Sequence, residues 1–283
     1  MIKMENVKKT YPAFDFQLSL EIPKGRITGL VGKNGAGKST AIKLMVGLVK
    51  AESGTIEIFG KPVSEMKALD KQRIGVSLAE SGFNELFTVT DTEKILAKMY
   101  QNFDRNWFEE QCRKLQLPMQ KKLREFSTGM KAKLRVLAAL SHRADLLILD
   151  EPTAGLDVEA RNEILDLLRS YAAEDESRTI LITSHISSDL EHLCDDIYLI
   201  HEGKQILHEE TDVILEQYGL IKASEEQYAA LDKEYLLKCR KEAYGYACFT
   251  SDQQYYKENY PDLVVERAGI DDLILMMTGG EVR

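Results

Sequence analysis

Gly32-Lys33-Asn34-Gly35-Ala36-Gly37-Lys38-Ser39-Thr40 fits the pattern G-x-x-x-x-G-K-[ST]. The run before it, Ile27-Thr28-Gly29-Leu30-Val31, reads as a buried strand. The run after it, Ser39 to Val49, reads as a helix with Ile42, Met45, Val46 and Val49 on one face. A glycine loop between strand and helix turns its backbone N–H groups inward as a nest, and the helix N-terminus adds partial positive charge. The expected guest is a nucleotide polyphosphate. Gly32, Asn34, Gly35, Ala36, Gly37 and Thr40 form the cradle, Lys38 reaches the outer phosphates, and Ser39 offers its hydroxyl to Mg²⁺.

Outward from this loop, Phe14 to Ile22 alternates apolar and polar residues, as does Gly54 to Phe59. Both read as strands of an antiparallel layer beside the nucleotide core, with a turn at Pro23-Lys24-Gly25. From about residue 80 to 143 strand signals vanish, and helices are expected at Thr92–Tyr100 and Trp107–Leu115. The unbroken apolar run Leu146–Leu149, ending in Asp150, suits a parallel strand buried on both faces. A helix over Arg161–Ala172 and strands at Thr179–Thr183, Ile197–Ile200 and Gln205–His208 follow, an alternation that predicts a doubly wound α/β core. After about Glu216 the composition changes, with eight of the twelve tyrosines falling there. This stretch reads as a small accessory domain ending in a helix at Ile270–Met277.

Bulk composition is that of a soluble globular chain: 283 residues, 44% apolar and 29% charged. The net charge of −9 argues against a nucleic-acid partner, which needs a basic surface. The four cysteines, Cys112, Cys194, Cys239 and Cys248, lack C-x-x-C spacing and are expected as reduced thiols. No apolar run approaches the roughly 18 residues of a membrane span, and the N-terminus lacks a signal-peptide core.

Three further sites carry candidate chemistry. Asp150 at the end of its strand could orient Mg²⁺, and the adjacent Glu151 could act as general base on a water. A DE pair after a strand is by itself usually a loop cap; the phosphate loop upstream is what makes it chemical. His185, also at a strand end, could contact the γ-phosphate or the attacking water, although a lone histidine is more often structural. In Phe126-Ser127-Thr128-Gly129-Met130-Lys131 a helix begins, with Ser127 or Thr128 as N-cap and Gly129 permitting close approach of a ligand. That is either an ordinary capped helix or a second anion site.

Together these segments resemble the nucleotide-binding subunits of ABC transporters, over about residues 1–215. GKNGAGKST resembles Walker A, FSTGM followed by Lys131 the signature sequence, Leu146–Asp157 (LLILDEPTAGLD) Walker B with the D-loop, and Ile182–His185 the switch histidine. The tail VERAGIDDLILMMTGGE more loosely resembles the end of subunits from drug- or peptide-exporting systems. The resemblance implies an α/β fold: a P-loop NTPase (RecA-like) core with an antiparallel β subdomain, a helical insertion at about 80–143, and a C-terminal accessory domain at 216–283. It also implies an ATPase that binds ATP and Mg²⁺ and pairs head to tail with a second cassette, identical or paralogous. Ser127, Thr128 and Gly129 of one subunit then cap the nucleotide of the other, Asp157 lies at the seam, and Tyr11 stacks on adenine. An integral membrane permease is the implied second partner, with the chain cytoplasmic and peripheral on the inner face of the membrane.

Two departures stand out. The family's glutamine after Ile74-Gly75 falls here on Ala79, with Glu80 beside it as a candidate Mg²⁺ ligand. Thr128 replaces one of the signature glycines. The alternative within the family is a soluble assembly-type ATPase that acts without a permease. A GTPase lacks support because no N-K-x-D motif is present, and a kinase would need neither the signature helix nor the switch histidine.

Overall fold

The computed structural model describes residues 1–12, 14–79 and 82–279. Strands β1 (Ile2–Tyr11), β2 (Phe14–Ile22) and β3 (Ile27–Val31) lead into helix α1 (Lys38–Met45), followed by β4 (Ser53–Ile58), β5 (Lys61–Pro62), α2 (Ala68–Lys71) and β6 (Ile74–Ser77). Three helices come next: α3 (Val89–Met99), α4 (Arg105–Lys114) and α5 (Thr128–Leu140). Strand and helix then alternate through β7 (Leu146–Asp150), α6 (Val158–Ala173), β8 (Thr179–Thr183), α7 (Ser187–Glu191), β9 (Asp196–His201), β10 (Lys204–Glu210) and α8 (Thr211–Gln217). The last part contains β11 (Gly219–Ala223), α9 (Glu225–Ala230), β12 (Leu236–Glu242), β13 (Gly245–Thr250), α10 (Gln253–Asn259), β14 (Val264–Arg267) and α11 (Ile270–Thr278).

The central sheet has the order β10-β9-β3-β8-β7-β6, parallel except for the β10 edge. β7 and β8 are buried at every position, as their unbroken apolar runs require of strands covered on both faces. A second sheet, β2-β1-β4-β5, is antiparallel. The alternation of β2 turns Phe16, Leu18, Leu20 and Ile22 onto α1, where they share a core with Ile42, Leu44, Met45 and Leu30. The helical part has its own core of Val89, Leu96, Phe108, Leu123, Phe126, Leu134 and Leu137.

Several boundaries differ from the sequence reading. The helix expected to reach Val49 stops at Met45, because Gly47 adopts φ +74° and turns the chain away, with Val46 and Val49 still packed on the core. Helix α3 begins at Val89 rather than Thr92, since Thr88 and Asp91 form a reciprocal capping box. Helix α4 begins at Arg105, two residues before the expected Trp107, capped by Asp104. Helix α6 starts at Val158 because Asp157 caps it by accepting from the Ala160 amide at 2.8 Å.

The C-terminal sheet, β12-β13-β11-β14, is antiparallel. Tyr228, Tyr235, Tyr246, Tyr255, Tyr256 and Tyr260 gather around Ile221, Ala223 and Cys248 on one of its sides. Helix α11 behaves differently from a closing element of that sheet alone. Its Ile270, Leu273 and Met276 join the large core that also holds Val31, Leu190, Leu193 and Leu199. No described helix is long and apolar enough to cross a membrane.

Candidate functional site

The phosphate loop is shaped by what packs behind it. Gly32 has φ +149°, and a Cβ there would lie 2.2 Å from the Ile200 carbonyl oxygen. Gly37, at φ +111°, would meet the rings of Phe14 and Phe16 at 3.0 and 3.1 Å. The turn between β9 and β10 supports the loop from below: the Gly203 amide donates to the Ala36 carbonyl at 2.8 Å. Within this frame Asn34, Gly35 and Ser39 are exposed, Thr40 is half-buried, and Ala36 is buried.

Lys38 opens α1 and is buried, with Nζ donating to the carbonyls of Gly32 (2.7 Å) and Lys33 (3.3 Å). Burial pulls its ammonium below the ordinary lysine range, opposed by the negative charges of Glu151 and Asp150. Lys38 and the two carboxylates therefore share one electrostatic site.

Asp150 ends β7 in a buried position, and its Oδ1 accepts from the Thr183 hydroxyl at 2.7 Å. Glu151 follows at φ +51°, a left-handed conformation that costs a non-glycine residue of the order of 1 kcal/mol or more. Its backbone N–H is held by the Thr183 hydroxyl at 3.0 Å and the Thr183 carbonyl at 3.2 Å. Its side chain meets His185: Oε2 lies 2.6 Å from Nδ1 and accepts from the His185 amide at 3.1 Å. A carboxylate acceptor on Nδ1 fixes the proton there and leaves Nε2 on a half-exposed ring.

The signature residues lie elsewhere. Ser127 caps α5 by accepting from the Met130 amide at 3.2 Å, and both Ser127 and Thr128 are exposed. A Cβ on Gly129 would approach Leu156 and Ala160 no closer than 3.7 Å, and one on Gly155 would lie 3.8 Å from Thr128. Ser127–Gly129 and the segment carrying Asp157 thus form one exposed surface, separate in its contacts from the Lys38, Asp150, Glu151 and His185 group. Behind it, Asp189 is buried and binds both the Thr153 hydroxyl at 2.7 Å and the Arg161 guanidinium at 2.5 Å.

Tyr11 stacks on Phe14 with ring centroids 6.2 Å apart, and Phe14 in turn packs on Gly37, so the tyrosine stands beside the loop. It lines an open cleft of about 770 Å³ with Thr10, Pro12, Asp15 and Glu52. Ala79 is exposed, and its carbonyl accepts from Arg135 of α5 at 3.1 Å, linking this loop to the signature helix. Glu80 lies outside the described residues. Sequence reasoning missed Thr183, an unremarkable threonine in an apolar run, and Phe14 and Gly203, whose roles depend on distant chain segments.

Comparison with known proteins fits this geometry. The chain matches the ABC transporter family over residues 16–154, and a family described as "AAA domain, putative AbiEii toxin, Type IV TA system" over residues 122–188. It is 36% identical to the lantibiotic transport ATP-binding protein SrtF of Streptococcus pyogenes, across 75% of this chain and 92% of that one. The chain belongs to the ABC transporter ATP-binding family. It is also 41% identical to the bacitracin transport ATP-binding protein BcrA of Bacillus licheniformis, over 66% of this chain but only 61% of BcrA. Among solved structures, an ATP-binding subunit of an ABC transporter superposes with a TM-score of 0.67 at 26% identity, covering 76% of this chain and 91% of that one. The cassette MJ0796 bound to ADP and Pi shares the fold, with a TM-score of 0.66 at 22% identity over 75% of this chain and 99% of that one. An ABC ATPase binds ATP and hydrolyses it, and the predicted α/β cassette architecture is the one this chain adopts.

Proposed function

We propose that this chain is the ATP-hydrolysing subunit of an exporter, working as a pair of cassettes against a separate membrane permease from the cytoplasmic face. In this reading residues 1–215 form the cassette and 216–283 an appended domain. The observation that carries it is the Glu151–His185 contact beside buried Lys38, with Ser127 and Thr128 facing solvent on another surface. One chain offers a phosphate cradle with a base, and separately a helix end ready for an anion; two chains arranged head to tail complete each other's sites.

The geometry supports a role for each residue in this reading. The nest from Gly32 to Thr40 and the Lys38 ammonium hold the phosphates. Glu151 Oε1, not engaged by His185 in the contacts above, would take the proton of an attacking water, while His185 fixes the carboxylate and would present Nε2 toward the γ-phosphate. Mg²⁺ would be held by the Ser39 hydroxyl and, through water, by Asp150, where it would neutralise charge on the phosphates. The donor set fits such a hard cation: an exposed hydroxyl and a buried carboxylate with a second oxygen left over from the Thr183 bond. Tyr11 would stack on adenine. Ser127, Thr128 and Gly129 would cap the γ-phosphate bound by the other cassette, with Asp157 at the seam.

Relatives named for bacitracin transport, lantibiotic transport and linearmycin resistance support export of a drug or peptide. Exposed Leu69, Leu86 and Met99, at 64, 61 and 59%, support a docking face on and near the helical part, where the Met99 carbonyl accepts from Gln72. The test is Glu151→Gln. With ATP it should elute as a dimer and hydrolyse ATP at least a hundredfold more slowly than the parent chain. A variant that stays monomeric with ATP, or that turns over normally, refutes the assignment.

A further inference from the structure

Cys239 on β12 and Cys248 on β13 are register partners, directly opposite each other in an antiparallel pair. Opposed residues in such a ladder have Cα atoms about 4.5–5.5 Å apart, within the range of roughly 4.4–6.8 Å that a disulfide spans. Both thiols are free. β12 is an edge strand of its sheet, and Cys239 is half-buried there, while Cys248 is fully buried in the tyrosine-rich core.

The surroundings favour a thiolate at Cys239. Tyr228 stacks on Tyr246 with centroids 3.9 Å apart, and the Lys233 ammonium sits 4.6 Å from the Tyr228 ring. A hydrogen bond from the Cys248 thiol draws the Cys239 thiol below the ordinary range against the opposing effect of burial, helped by Tyr228 and the positive charge of Lys233. Its hydrogen bond to the Cys239 sulfur, and then burial, push Cys248 the other way. The remaining two cysteines differ. Cys112 is pushed up to about 12 by burial, and Cys194 well above the usual thiol range for the same reason.

We propose that Cys239 and Cys248 form a reversible cross-strand disulfide, a redox-modification site on the C-terminal sheet that takes hydrogen peroxide as oxidant. The Cys239 thiolate attacks one peroxide oxygen, the O–O bond breaks, and hydroxide leaves to give a sulfenic acid. The Cys248 sulfur then attacks the sulfenic sulfur; the S–O bond breaks, and the departing hydroxide with the Cys248 proton leaves as water. Both sulfurs are oxidised, the peroxide is reduced to two waters, and a small thiol reverses the bond by exchange.

The experiment uses the full chain, reduced, desalted and treated with hydrogen peroxide at modest molar excess, followed by intact-mass and non-reducing peptide analysis. The expected result is loss of two hydrogens, a linked pair of peptides carrying Cys239 and Cys248, and recovery of the starting mass with dithiothreitol. Disulfide formation should outpace oxidation of Cys112 and Cys194 by tenfold or more. In Cys248→Ser, dimedone should label Cys239; in Cys239→Ser, Cys248 should remain a thiol. Oxidation of Cys239 to sulfinic or sulfonic acid with Cys248 still free, or persistence of both thiols in the folded wild-type chain, overturns the proposal.

Discussion

Replacing Thr183 with valine removes one oxygen from the centre of the candidate site and adds a methyl of similar size. In the folded chain that oxygen donates to Asp150 Oδ1 at 2.7 Å and accepts from the Glu151 N–H at 3.0 Å. Both Thr183 and Asp150 are buried, so water cannot replace the lost bond to the carboxylate. A hydrogen bond to a charged group is worth about 1.5–3 kcal/mol. The Glu151 N–H keeps the Thr183 carbonyl at 3.2 Å, so its share of the loss should stay under about 1 kcal/mol. The sum, about 1.5–4 kcal/mol, corresponds to a melting temperature lower by about 3–16 °C in a domain of this size. Turnover should suffer separately. Glu151 is held at φ +51° partly by this hydroxyl, and under the proposed role as base, a glutamate released from that strained position would lose its alignment to an attacking water. Calorimetry and steady-state ATPase assays test both effects: kcat should fall about tenfold or more with KM for ATP changed less than threefold, and Thr183→Ser should recover most of both losses. A valine variant that melts within about 1 °C of the parent chain and turns over normally refutes the reasoning.

Lys38→Ala should weaken ATP binding by at least about a hundredfold, since it removes the one buried ammonium among the loop carbonyls; unchanged affinity by calorimetry would contradict this. Gly129→Asp should leave the monomer folded, because a Cβ there meets nothing closer than 3.7 Å, yet abolish the ATP-dependent dimer by placing a carboxylate against phosphate. Normal dimerisation in light scattering would remove Gly129 from the interface. His142 stacks on Tyr100 at 3.9 Å and contacts the Ile74 carbonyl through Nε2 at 3.2 Å; burial lowers its pKa despite carbonyl partners. Its folded pKa is thus depressed: its contribution is fully present above the unfolded value of about 6.5 and is lost as pH falls toward the folded pKa, with a slope of at most about 1.4 kcal/mol per pH unit. His142→Gln should lose less stability between pH 7 and pH 5.5 than the parent chain in urea titrations; equal losses would assign the acid sensitivity elsewhere.

Much of the cassette was legible because its signals are local. The glycine loop, the alternation of β2, and the buried run of β7 ending in Asp150 each announce themselves within a dozen residues, and each is where the sequence places it. The misreadings share a different character. The apolar pattern of α1 runs on past Met45, but Gly47 ends the helix, and a hydrophobic count that ignores backbone conformation overshoots it. β1 is not legible in the sequence because its alternation breaks where the register shifts between Met4 and Val7, with Asn6 at φ +48°. The sequence marks a helix at Ile270–Met277 but not what it packs against. Ile270, Leu273 and Met276 enter the large central core, and the helix is tied at both ends: Ser187 donates to Asp271, the Ile270 amide donates to Glu191, and Lys33 Nζ donates to the Thr278 carbonyl at 3.0 Å.

The least legible feature is the most chemical one. Nothing in Asp150-Glu151-Pro152-Thr153 distinguishes a left-handed glutamate from an extended one, because that conformation is imposed from β8, thirty-two residues further on. Thr183 holds the Glu151 backbone while His185, two residues later on the same strand exit, holds its carboxylate. The Glu151 carboxylate is therefore aimed by β8 and its exit rather than by the strand that carries it. A motif can name the residue, but its direction is a property of the pairing of β7 with β8, in which Asp150 stands opposite Thr183. A one-residue slip in that pairing would keep every motif intact, yet it would unseat the threonine from both of its bonds and turn the glutamate away from His185.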